Sequence, residues 1–160
     1  MADPSQRGTD RQMAIITSYT PIGYDLPPVS QKLSVNLNRV LTDAGEVDTI
    51  HTDSTAAARE GLTRPIAVGS RLFGVIPRMM MLCFEEGWIV GGKGSVVTRR
   101  SAGIDDLITA KGYVTGKIPE GDTKLRIECE VWVETDKGEK VIVGQCSGLV
   151  DKDRRSEAGE

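Results

Sequence analysis

The stretch from Ser70 to about Glu86 constrains the fold more than any other part of this chain. Leu72, Phe73, Val75, Ile76, Met79, Met80, Met81, Leu82, Cys83 and Phe84 make it apolar nearly all round. A helix with so little polar surface has to be covered on most sides. Pro77 stands inside it and is expected to kink the helix or delay its start.

Beyond that helix the chain reads as strand throughout. Lys93 to Ser101, Ile104 to Lys117, Thr123 to Glu134 and Lys140 to Val150 are parted by turn signals at Gly103, Pro119-Glu120-Gly121-Asp122 and Asp136-Lys137-Gly138. The third run alternates cleanly. Leu125, Ile127, Cys129, Val131 and Val133 share one face; Arg126, Glu128, Glu130, Trp132 and Glu134 share the other. One buried helix followed by four antiparallel strands predicts an α+β domain whose sheet wraps around one long central helix. A single sheet hides only one side of such a helix, so a homodimer is expected.

The first half of the chain is expected to be loop and helix. Gly23, Pro27 and Pro28 exclude a helix over Pro21 to Pro28. Ser34 is placed to cap a short helix running through about Ala44, which Gly45 stops. A second short helix is expected from Asp53 or Ser54 through Ala56 to Ala58, ending at Gly61, after which Pro65 forces an extended stretch. Met1 to Ser18 reads as a mobile lead-in and Asp151 to Glu160 as a charged, frayed tail, so the domain should span residues 19–150.

With 160 residues, one domain is the natural count. A net charge of −3 argues against a nucleic-acid partner, which usually demands a basic excess. No apolar run approaches the roughly 18 residues that would cross a bilayer, and Met1 to Met13 is unlike a signal peptide. Cys83, Cys129 and Cys146 are odd in number and lack metal-ligand spacing. They are expected as buried free thiols in a reducing cytoplasm, with no metal bound.

His51 is the only histidine of the chain. A lone histidine is ordinarily a surface residue or a hydrogen-bonded core residue. Its company here is more telling: Glu46 five residues before it, Asp48 three before it, and Gly69 at the start of the apolar helix 18 residues after it.

The segment Gly45-Glu46-Val47-Asp48-Thr49-Ile50-His51-Thr52-Asp53, continuing through Ala57, Gly61 and Pro65-Ile66-Ala67-Val68-Gly69, resembles that of the MaoC-like (R)-specific enoyl-CoA hydratase/dehydratase family. Those proteins carry Gly-Asp-x-Asn-Pro-Ile-His-x-Asp, then Ala, then Gly-Phe-x-x-Pro-Ile-Ala-His-Gly. Gly45, Ile50, His51, Asp53, Ala57, Gly61, Pro65, Ile66, Ala67 and Gly69 match with no insertion or deletion. Ile22-Gly23, Leu26-Pro27-Pro28 and Gly92-Lys93-Gly94-Ser95 extend the likeness over about Pro21 to Val150. Four of the departures from it bear on the chemistry. Glu46 replaces the family's catalytic Asp, Asp48 its Asn, Thr49 its Pro and Val68 the His of His-Gly. Glu for Asp extends the carboxyl by about 1.5 Å. Asp48 adds a second carboxylate, so a pair with one raised pKa is expected near His51.

The resemblance implies a hot-dog fold and a hydratase or dehydratase acting on a 2-enoyl or (R)-3-hydroxyacyl thioester. Glu46 and His51 would share one water, with Asp48 as a possible second carboxylate. The backbone N–H of Gly69, at the positive end of the helix dipole, would receive the thioester oxygen. No cofactor is implied beyond the CoA or phosphopantetheine that belongs to the substrate. Val68 and Met79 are candidates to line the acyl site, although helical methionines equally serve as plain core. Arg99 and Arg100 are candidates for a substrate phosphate, with surface solvation as the alternative. Trp132 either covers a dimer seam or shields the sheet. Gly91-Gly92-Lys93-Gly94 reads as a turn rather than a phosphate loop. Three further readings stay open: dehydration, isomerisation or cyclisation of a non-CoA intermediate on the same scaffold; a non-catalytic partner subunit in a heteromer with another hot-dog chain; and a hot-dog thioesterase.

Overall fold

The computed structural model describes residues 15–36 and 48–152. Its elements, in chain order, are β1 (Val29–Lys32), α1 (Ser54–Arg59), α2 (Gly69–Phe84), α3 (Glu86–Gly91), β2 (Lys93–Thr98), β3 (Leu107–Glu120), β4 (Lys124–Thr135) and β5 (Lys140–Asp151). The strands form one antiparallel sheet in the order β1-β3-β4-β5-β2, with the two longest hairpins at its centre.

Helix α2 lies against one face of that sheet. Leu72, Val75, Ile76, Met79, Met80 and Cys83 are buried with Ile127, Cys129, Val131 and Val133 of β4, Val114 of β3 and Ile142 of β5. The helix continues across Pro77. A proline in a helix interior costs about 3 kcal/mol. Burying Val75, Ile76, Met79 and Met80 contributes roughly 1.5–3 kcal/mol each, so packing outweighs the lost backbone bond. The helix is not covered all round, however. Phe73, Met81 and Leu82 are 42%, 40% and 41% exposed.

Among the described residues five strands form where four were expected. The extra one, β1, pairs Val29 to Lys32 with Ala110 to Leu107 at the sheet edge. It is only 4 residues long and follows Pro27-Pro28, leaving too little alternation to read in sequence. The second predicted strand starts later than expected, at Leu107, because residues 102–104 pair with the segment after Arg64. Gly91 ends the short helix α3, Gly92 caps it and Lys93-Gly94 opens β2, where a turn was expected. The lead-in expected over Met1 to Ser18 is already packed at Ile16, which is 1% exposed and whose N–H donates to the Cys83 carbonyl. Val35 and Asn36 are helical; the rest of the helix expected from Ser34 to about Ala44 lies outside the described residues, as does the tail after Lys152.

The outer face of the sheet is polar but organised. Arg126 is 8% exposed, held by Glu120, the Gly91 carbonyl and the Ser147 hydroxyl. Trp132 packs edge-on to Tyr113 with 6.2 Å between ring centroids, donates to Glu134 and lies under Lys140. It shields the sheet within its own chain.

Candidate functional site

The site is built around a tight turn. Thr49 and Thr52 wrap it: the Thr49 N–H donates to Thr52 Oγ1 at 3.0 Å, and the Thr52 and Asp53 N–H groups return to the Thr49 carbonyl. The His51 N–H donates to Thr49 Oγ1 at 3.2 Å. Side-chain hydroxyls that bond their own backbone favour such turns over helix or strand. Thr49 thus supplies by hydrogen bonding some of the rigidity that a proline would supply by its ring. Asp53, two residues beyond His51, is the N-cap of α1, its carboxylate accepting from the Ala56 N–H at 2.7 Å. Gly61 ends that turn with φ +77°, a conformation that favours glycine.

The imidazole of His51 is half-buried, and its Nδ1 lies 2.9 Å from the Ile66 carbonyl oxygen. A carbonyl oxygen only accepts, so Nδ1 carries the proton in the neutral ring and Nε2 carries the lone pair. Ile66 in turn donates its N–H to the Ile50 carbonyl at 3.1 Å. Three residues later α2 begins at Gly69, with Val68 as an N-cap that offers no side-chain bond. The first N–H groups of a helix have no acceptor within it. Among the described residues, nothing lies within 4 Å of where a Gly69 Cβ would be.

The structure places the other predicted site residues unevenly. Glu46 lies outside the described residues. Asp48 is exposed, with no hydrogen bond to His51 among the described residues. Val68 is half-buried beside Gly69. Met79 is fully buried in the core between α2 and the sheet. Arg99 and Arg100 are exposed; both backbone N–H groups reach the Val141 carbonyl, and Arg100 lies 3.6 Å from Glu139. All three thiols are free and buried, and burial pushes Cys83 and Cys129 up to about 12 and Cys146 to about 11. Among the described residues no group of three or more His, Cys, Asp or Glu could hold a metal ion, and no helix is long and apolar enough to cross a membrane.

Several contributors were not legible in sequence. Arg71, in the first turn of α2, is 5% exposed and donates to the Ser34 and Lys32 carbonyls at 3.3 Å each. Its Nε has no partner among the described residues, and burial lowers its pKa. Arg64 and Asp106 are paired at 2.7 Å across 42 residues of chain, a separation that leaves no local pattern. A groove of about 240 Å³ lies elsewhere, on β2, β4 and β5, lined by Lys93, Ser95, Glu128, Gln145 and Ser147 among others. Its mixed polar walls carry none of the predicted chemistry.

No family model and no curated protein sequence matches the chain. Solved structures do. A MaoC-like dehydratase from Rhodospirillum rubrum is 16% identical, with a TM-score of 0.67 over 84% of this chain and 95% of that one. An (R)-hydratase from A. caviae involved in PHA biosynthesis is 16% identical, with a TM-score of 0.65 over 84% and 98%. The ChsH1-ChsH2 complex from Mycobacterium tuberculosis matches at 15% identity and a TM-score of 0.63, over 83% and 99%. The chain therefore has the α+β hot-dog fold of the MaoC-like dehydratases and (R)-hydratases: an antiparallel sheet around one long helix.

Proposed function

We propose that this protein is a MaoC-like hydratase or dehydratase acting on a 2-enoyl or (R)-3-hydroxyacyl thioester. The observation that supports the reading is the His51 Nδ1 to Ile66 carbonyl bond, which puts the lone pair of the neutral ring on Nε2, as a proton-accepting imidazole requires. In the hydration direction, one proton leaves water as its oxygen bonds to C3, and one proton is returned to C2. Glu46 and His51 share that work. The thioester oxygen gains negative charge and takes the Gly69 N–H at the start of α2. CoA or phosphopantetheine enters as part of the substrate. The test is incubation with crotonyl-CoA while the enoyl absorbance is followed. Loss of absorbance with formation of the (R)-3-hydroxy product supports the reading; no turnover at high enzyme concentration overturns it for CoA thioesters.

In this reading the active form is a homodimer in a reducing cytoplasm. Its support is the apolar flank of Phe73, Met81 and Leu82, which the chain's own sheet leaves open, together with three free thiols. Sedimentation at micromolar concentration should give twice the 17.3 kDa chain mass; a clean monomer would remove the dimer. The likeness to the ChsH1-ChsH2 complex favours one other arrangement, a heteromer in which this chain is a partner subunit. That arrangement predicts activity only after a second hot-dog chain is added.

A further inference from the structure

We infer that Arg64 and Asp106 are positioning residues for His51, an assignment that rests on the proposed use of His51 in proton transfer. The Ile66 carbonyl that receives the imidazole Nδ1–H is held in place because the residues on either side of it are paired. The Ala67 N–H donates to the Ala102 carbonyl at 2.8 Å, the Ile104 N–H donates to the Pro65 carbonyl at 2.9 Å, and Ile66 bridges Gly103. Two short extended segments, 65–67 and 102–104, thus form a clamp with Ile66 at its centre.

Arg64 and Asp106 close that clamp. Asp106 is 8% exposed, and both carboxylate oxygens are in use: one accepts from Arg64 Nη2 at 2.7 Å, the other from the Gly103 N–H at 3.0 Å. Arg64 Nη1 donates to the Ile104 carbonyl at 2.6 Å. The guanidinium lies directly over Gly103, where a Cβ would come within 2.2 Å of Arg64 Nε, so a side chain there would displace the fork. Asp105, with φ +74°, turns the chain so that its neighbour's carboxylate points back into the clamp. The turn is also pinned to the end of β1, the Asp105 N–H donating to the Leu33 carbonyl and the Leu33 N–H to the Asp106 carbonyl. Charge-assisted bonds of a fork-shaped guanidinium fix direction as well as distance. Displacing the Ile66 carbonyl would let the imidazole rotate or change tautomer, and a misplacement of about 1 Å can cost on the order of 100-fold in rate.

The test uses the fact that His51 is the only histidine, so a chain free of tags gives a single imidazole in nitrogen-resolved NMR. The wild type should show protonated Nδ1 and unprotonated Nε2 in the neutral ring. Asp106→Asn keeps an acceptor for the Gly103 N–H but loses the charge; Arg64→Met loses the fork. Both should move the ring toward a mixture of tautomers and lower crotonyl-CoA kcat roughly 10- to 100-fold, with KM little changed. Lys111→Met, which breaks the Lys111–Glu134 pair on the outer face of the sheet, controls for stability and should leave the imidazole as in wild type. Wild-type tautomer in the folded Asp106→Asn and Arg64→Met variants overturns the inference, whatever happens to turnover. A tautomer shift in a protein that does not hydrate crotonyl-CoA upholds the positioning while sinking the substrate reading.

Discussion

The ring of Phe84 fills the space above Gly148: a Cβ at position 148 would lie 2.4 Å from Phe84 Cγ. Phe84 ends α2 and is 3% exposed, while Gly148 sits opposite Ile127 in the β4–β5 ladder. The contact is therefore where the helix seats on the sheet. A rigid ring pinned by buried neighbours has nowhere to go. Gly148→Ala should destabilise the fold by about 1–3 kcal/mol, the usual cost of overpacking, read as a lower urea midpoint with an unchanged slope. An unaltered midpoint would show that the ring moves aside.

Replacement of His51 tests the chemistry. If its Nε2 takes part in proton transfer, His51→Ala lowers turnover roughly 100- to 10,000-fold. Circular dichroism should be retained, because the half-buried ring contributes little packing. Glu46→Gln should fall nearly as far. Glu46→Asp restores the acid of the resembled family and should retain or improve crotonyl-CoA hydration. Should both Glu46 variants behave as wild type while Asp48→Asn is inactive, the working carboxylate is Asp48.

Asp53 makes a separable structural contribution two residues from that histidine. Its carboxylate caps α1 through the Ala56 N–H. Asp53→Ala should cost about 1 kcal/mol of stability, and Asp53→Asn, which keeps the acceptor, should cost much less. Equal melting temperatures for the two variants would show that the cap contributes nothing measurable.

The thiols give a pH prediction of definite sign. Burial raises Cys83 and Cys129 from about 9 to about 12 and Cys146 to about 11. A thiol kept neutral in the fold, against an unfolded chain that ionises near 9, favours the native state fully only below about pH 9. The unfolded chain loses its protons first, so this stability is lost progressively as pH rises from about 9 through 11 to 12. A chromogenic disulfide reagent at pH 8 should accordingly find almost no reactive thiol in the native protein and three after denaturation. Rapid native reaction at any of the three would contradict the burial.

Much of the architecture is a local property of the chain. The apolar composition of Ser70 to Glu86 and the period-two alternation of Thr123 to Glu134 determine a helix and a strand almost to their ends, because their faces must match the core they bury. The short helix before Gly61 is equally local, since cap and stop lie within it. The spacing of His51 from Gly69 likewise placed a candidate base close in sequence to a helix start. Tertiary structure alone decided the rest. Strand β1 is specified by pairing with β3 and not by its own 4 residues. The tautomer of His51 depends on an Ile66 carbonyl 15 residues away, and that carbonyl on Asp106, 42 residues from Arg64. Backbone acceptors look alike in every sequence. Which one a side chain meets is fixed only when distant segments pack and exclude the water that would otherwise satisfy them.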